Sequence, residues 1–130
     1  MPNETYEILA LRYGGQANRT RYFNFMADDD HASPGPIDYY VWVIRNENRT
    51  ILVDTGFEEK EAALRGRQLD MRPREILKKI DVNADKIDNL IVSHMHFDHA
   101  ELSTISLRPG SIFRKPRWLM PPGRVCAKTL

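Results

Sequence analysis

Ser93-His94-Met95-His96-Phe97-Asp98-His99 decides how this chain is read. Three imidazoles and one carboxylate stand in an H-x-H-x-D-H pattern. Such a group is costly to hold in a packed interior unless a cation satisfies it. Neutral imidazole and carboxylate are zinc ligands, with bonds of about 2.0–2.2 Å. An apolar strand-like segment, Leu90-Ile91-Val92, runs straight into the pattern. On an extended backbone residues i and i+2 share a side, so His94 and His96 can hold one metal ion. Asp98 and His99 come after the chain turns and can face a second position. Two divalent ions about 3.5–4 Å apart form a hydrolytic clamp, lowering the pKa of a bridging water toward ~7 and polarising a carbonyl or phosphoryl group. Asp98 is then the catalytic candidate: it either binds metal, or orients the nucleophile and protonates the leaving group.

Working upstream, the segment over 89–92 is predicted as a strand, and Pro73 suits the first turn of a helix over 74–80 striped by Ile76, Leu77 and Ile80. The charged stretch over 58–69 is predicted as a short helix or structured loop. Thr50-Ile51-Leu52-Val53 is predicted as a strand ending abruptly at Asp54-Thr55-Gly56. Asn46-Glu47-Asn48 is a turn signal. It joins that strand in a hairpin to the aromatic and β-branched run Ile37-Asp38-Tyr39-Tyr40-Val41-Trp42-Val43-Ile44. A first strand is predicted over 6–12. Between it and the hairpin lies a long polar connection over 14–35 that carries Asp28-Asp29-Asp30-His31. A loop of that length in a compact domain is functional or mobile. His31 is expected as a solvated loop residue, with the substrate entrance as the other possibility.

The 130 residues suit one domain, and 42% apolar with 28% charged residues fits a globular chain. No apolar run approaches the ~20 residues of a membrane span, and the N-terminus shows no secretory pattern. Cys126 is the sole cysteine, so no internal disulfide forms and a cytoplasmic location is expected. Charge is uneven along the chain. The overall balance is 19 basic against 18 acidic residues. The segment 101–130 carries Arg108, Arg114, Lys115, Arg117, Arg124 and Lys128 against Glu101 alone. It shows no sustained period of 2 or 3.6.

The segment 51–56 (Ile-Leu-Val-Asp-Thr-Gly) and the histidine run together resemble the metallo-β-lactamase superfamily over residues 1 to about 100. Within it, the loop with Asp30-His31 and the strand over 38–44 are most similar to the N-acyl homoserine lactonases. The resemblance implies an α/β fold, the N-terminal half of a four-layered αββα sandwich. It implies two zinc ions, with His94 and His96 on the first and Asp98 and His99 on the second. It makes Asp54 a buried carboxylate bracing the site from behind. A turn residue bonding its own backbone is the other reading of Asp54. The implied activity is opening of a lactone ring in quorum quenching, on a small ester or lactone substrate. A thioester, another lactone or a phosphodiester would suit the same chemistry.

Family members supply two more histidines and a bridging aspartate downstream; here no histidine follows His99 and no aspartate follows Asp98. They also continue with Ala-Gly, where this chain has Ala100-Glu101. Back-translating from residue 100 with free synonymous choice and reading one base earlier permits AGTIDYFPPARFHLQEAEMAYATG, a family-like continuation. The expectation is that residues 101–130 are a non-family tail translated out of frame. Zinc binding is then partial or weak and the truncated chain has little lactonase activity. From another class, the chain could be a non-catalytic module using its basic tail, with Phe113 and Trp118, on nucleic acid. The tail's lack of periodicity argues against that partner, and no membrane partner is expected.

Overall fold

The computed structural model describes residues 4–25, 30–87 and 89–101, and the backbone of Ile112–Phe113. Asp28 and Asp29 of the long loop, and Trp118 and Cys126 of the tail, lie outside the described residues, as does the side chain of Phe113. Among the described residues the strands are β1 (Glu7–Gln16), β2 (Ile37–Arg45), β3 (Thr50–Val53), β4 (Gln68–Leu69), β5 (Asn89–Ile91) and β6 (Ile112–Phe113). They form one sheet in the order β4-β1-β2-β3-β5-β6. β1, β2, β3 and β4 pair antiparallel. β5 lies parallel to β3, with Leu52 opposite Leu90 and Val53 opposite Ile91. The two parallel strands therefore end side by side, and both site segments leave from the same end of the sheet. The fold is the α/β one that the sequence implied.

The hairpin turns as its asparagines require. Asn46 Oδ1 accepts from the backbone N–H groups of Asn48 and Arg49, both at 3.0 Å, which closes an Asx-type turn. Helix α1 (Glu59–Arg65) ends at Gly66, whose φ of 59° is left-handed. Helix α2 (Pro73–Lys78) opens on Pro73, where the missing N–H has no intrahelical partner to lose. Both helices contribute to the apolar layer on one sheet face. Leu11 and Tyr13 of β1, Tyr39, Val41 and Val43 of β2, Leu52 and Leu90 pack with Phe57, Ala62, Leu77 and Ile87. The opposite face carries Ile8, Tyr40 and Trp42, which are 63%, 36% and 42% exposed.

Four expectations change. β1 runs on to Gln16 instead of stopping at Arg12. A bulge between Arg12 and Gly14 carries the pairing past the glycines. Gly14 is needed there: a Cβ would sit 2.3 Å from the backbone oxygen of Gln68, so only glycine lets β4 pair so closely. The stretch over 58–69 resolves into α1 and the two-residue β4. α2 ends at Lys78, and Ile80 N–H instead bonds Leu77 O in a turn. The tail, which has no strand period, nevertheless places Ile112–Phe113 parallel to β5.

Candidate metal centre

Asp54 is the hinge of the site. It follows β3 with φ of 63°, a left-handed conformation that aspartate tolerates better than most side chains. Its residue is 3% exposed, so its carboxylate needs partners. Oδ1 accepts from the backbone N–H of Ser93 at 2.7 Å. Oδ2 accepts from the Ser93 hydroxyl at 2.9 Å and meets His99 Nδ1 at 2.7 Å. The carboxylate thus spans to the neighbouring segment. Thr55 adds two bonds to the His99 carbonyl, from its N–H at 2.9 Å and its hydroxyl at 3.2 Å. Gly56 is required next: its φ is 73°, and a Cβ would lie 2.7 Å from Pro73 Cγ.

The histidine run leaves β5 and coils back on itself. His99 and Ala100 N–H groups both bond the His96 carbonyl at 3.0 Å. This brings the three rings together. His94 and His96 have centroids 4.5 Å apart, and His94 and His99 3.9 Å. His94 Nε2 lies 3.0 Å from His96 Nδ1. His99 Nε2 lies 3.3 Å from Asp98 Oδ2. His96 is exposed, whereas His94, Asp98 and His99 are half-buried.

Electrostatics differ from ring to ring. Burial pulls the His99 imidazole down, but the hydrogen bonds to Asp54 and Asp98 outweigh it and hold the pKa up to about 9. Burial would raise Asp98; the bond to His99 prevails and keeps its carboxyl below the ordinary range. His94 is pushed down, first by burial and then by its two neighbouring histidines. An ionised Asp98 and a His94 pushed toward its neutral form suit a cation, whereas His99 must give up a proton before its Nε2 can bind one.

The residues that hold this loop from beneath belong to no motif in the sequence. The Tyr13 hydroxyl donates to the Asp98 carbonyl at 3.0 Å. Burial is the main cause raising that hydroxyl's pKa, so it stays a donor. Phe97, between two donor residues, packs its ring at a tilt to Phe57 at 5.5 Å and edge-on to Tyr39 at 6.4 Å. Arg65 of α1 sits 4.2 Å from the centre of the same ring. Only the final apolar position inside the motif, Phe97, carried a signal for this. Tyr13 lay beyond the expected end of its strand. His31 is not the solvated residue expected. Its ring packs against Tyr22 at 5.6 Å, and its Nε2 is buried with no hydrogen-bond partner among the described residues.

The donors suit a divalent cation in kind. In number they come as two pairs, His94 with His96 and Asp98 with His99. Among the described residues no group of three or more histidine, cysteine or acidic side chains is arranged to hold an ion.

Residues 34–100 match the metallo-β-lactamase superfamily, and the chain belongs to it. No curated protein sequence matches. Among solved structures, the fold is similar to a probable metal-dependent hydrolase from Staphylococcus aureus (18% identity, TM-score 0.54), covering 77% of this chain and 41% of that one. It is similar to a quorum-quenching N-acyl homoserine lactone lactonase (22%, TM-score 0.51, 77% and 41%). A mutant of AiiA from B. thuringiensis, with N-decanoyl-L-homoserine bound at its active site, is a further likeness (21%, TM-score 0.51, 77% and 44%). The chain thus spans well under half the length of these structures. Among the described residues, no helix is long and apolar enough to cross a membrane.

Proposed function

We propose that this chain carries the cation-binding half of a metal-dependent hydrolase acting on a lactone or ester, with N-acyl homoserine lactones as the leading substrate class. The observation that carries the reading is the convergence of His94, His96, Asp98 and His99 over the buried carboxylate of Asp54. His94 Nε2 and His96 Nδ1 would hold one zinc ion, and Asp98 and His99 Nε2 a second. Zinc, when bound, supplies Lewis acidity and a lowered water pKa. Asp54 and Tyr13 fix the donors in place from below. The Asp98 carboxylate, kept ionised by His99, either serves that second ion or, left free of it, orients the nucleophile and protonates the leaving group.

Two protein donors per ion fall short of the three usual at a catalytic zinc, so this chain should bind zinc weakly and open lactones poorly. Equilibrium dialysis of the purified 130-residue chain tests the reading. Zinc retained by the wild type and lost in His94→Ala and His96→Ala supports it. No zinc retention, or retention indifferent to both substitutions, overturns it. Hydrolysis of acyl homoserine lactones at ordinary enzyme rates with stoichiometric zinc would show that the donor pairs suffice, contrary to the weak-binding expectation.

A further inference from the structure

Ser93 stands at the centre of the site's hydrogen bonds without being one of its donors to a cation. Its hydroxyl lies 2.9 Å from Asp54 Oδ2, 3.0 Å from His94 Nδ1 and 3.3 Å from His99 Nδ1. A serine hydroxyl has one proton to give. Two of these neighbours compete for it, Asp54 Oδ2 and His94 Nδ1. An ionised carboxylate accepts only, and charge-assisted bonds are roughly twice as strong as neutral ones. The proton therefore goes to Asp54, and Ser93 Oγ turns a lone pair toward His94. His94 Nδ1, at 3.0 Å, must then carry the hydrogen. The reverse assignment would set the Ser93 lone pair against Asp54 Oδ2 at 2.9 Å. His99 Nδ1, at 2.7 Å from the same carboxylate, is likewise a donor.

We infer that Ser93 is a positioning residue that relays the Asp54 carboxylate to His94, placing the His94 proton on Nδ1 and leaving Nε2 as a lone pair toward the site. Asp54 orients His99 by direct contact but reaches His94 only through the serine. One buried charge therefore orients a ring in each pair, His99 directly and His94 through the serine. This follows the general pattern in which a ligating histidine gives its other N–H to an outer acceptor. The cation-binding role of His94 rests on the function proposed above; the tautomer does not.

The test uses the whole metal-free chain with ¹⁵N-labelled histidine and long-range ¹H–¹⁵N correlation spectra. Wild type is expected to show His94 protonated on Nδ1. Ser93→Thr, which keeps the hydroxyl, should retain that tautomer, and Ser93→Ala should shift it toward Nε2 protonation. A wild-type His94 protonated on Nε2 would overturn the inference, as would a tautomer unchanged in Ser93→Ala. If Ser93→Ala does not fold, the wild-type and Ser93→Thr spectra decide. A zinc titration adds a second readout: Ser93→Ala should weaken binding about 10–100-fold and Ser93→Thr only slightly. Equal affinity in all three would contradict the relay. Failure of wild type to bind zinc, with His94 still in the Nδ1 tautomer, would sink the metal reading and leave the relay standing.

Discussion

The two sides of the histidine loop are built on opposite plans. Behind it, Asp54 is 3% and Thr55 0% exposed, and short bonds tie both to Ser93 and His99. In front, His96 is exposed and its nearest polar partner is another imidazole at 3.0 Å. The rear is satisfied by the protein alone; the front collects nitrogen and oxygen atoms that partner mainly one another. A loop meant only for stability would not hold donors at its surface on so fixed a base. The difference predicts that rear substitutions cost stability and cation binding together, and front ones cost binding alone.

Asp54→Ala should break the comparison most severely. It leaves the Ser93 N–H and the His99 Nδ1 donor without their buried acceptor. A loss of about 3 kcal/mol is expected, read by urea denaturation of the metal-free chain. Gly56→Ala comes next, at about 2 kcal/mol, because its Cβ meets Pro73 and its φ of 73° strains any side chain. Tyr13→Phe removes one hydrogen bond to the Asp98 carbonyl. About 1 kcal/mol is expected from the same denaturation, with zinc affinity falling in parallel. His96→Ala, at the front, should change metal-free stability by under about 0.5 kcal/mol while abolishing zinc retention in dialysis. If His96→Ala destabilised as much as Asp54→Ala, the front would be structural and the contrast would fail.

Much of this was legible in the chain itself. The run from Ile37 and the Thr50–Val53 return strand declare themselves by β-branched and aromatic content, and Asn46 marks their turn. The spacing of His94, His96, Asp98 and His99 exposes the candidate donors without any coordinates. What stays hidden is non-local. β4 is two residues long and exists because Gly14 admits it, a fact of close approach and not of periodicity. Tyr13 reaches Asp98 across 85 positions of sequence. Ser93 reads as an ordinary polar residue until the parallel pairing of β5 with β3 sets it against Asp54. Ile112–Phe113 joins the sheet because β5 offers an edge, which composition cannot announce.

The most direct test of the central claim is zinc K-edge X-ray absorption on the full chain loaded with one equivalent of zinc. The account expects a shell of nitrogen and oxygen at about 2.0–2.2 Å with imidazole scattering, lost in the His94→Ala, His96→Ala double variant. A sulfur shell at about 2.3 Å, pointing to Cys126, or oxygen scatterers alone would contradict it.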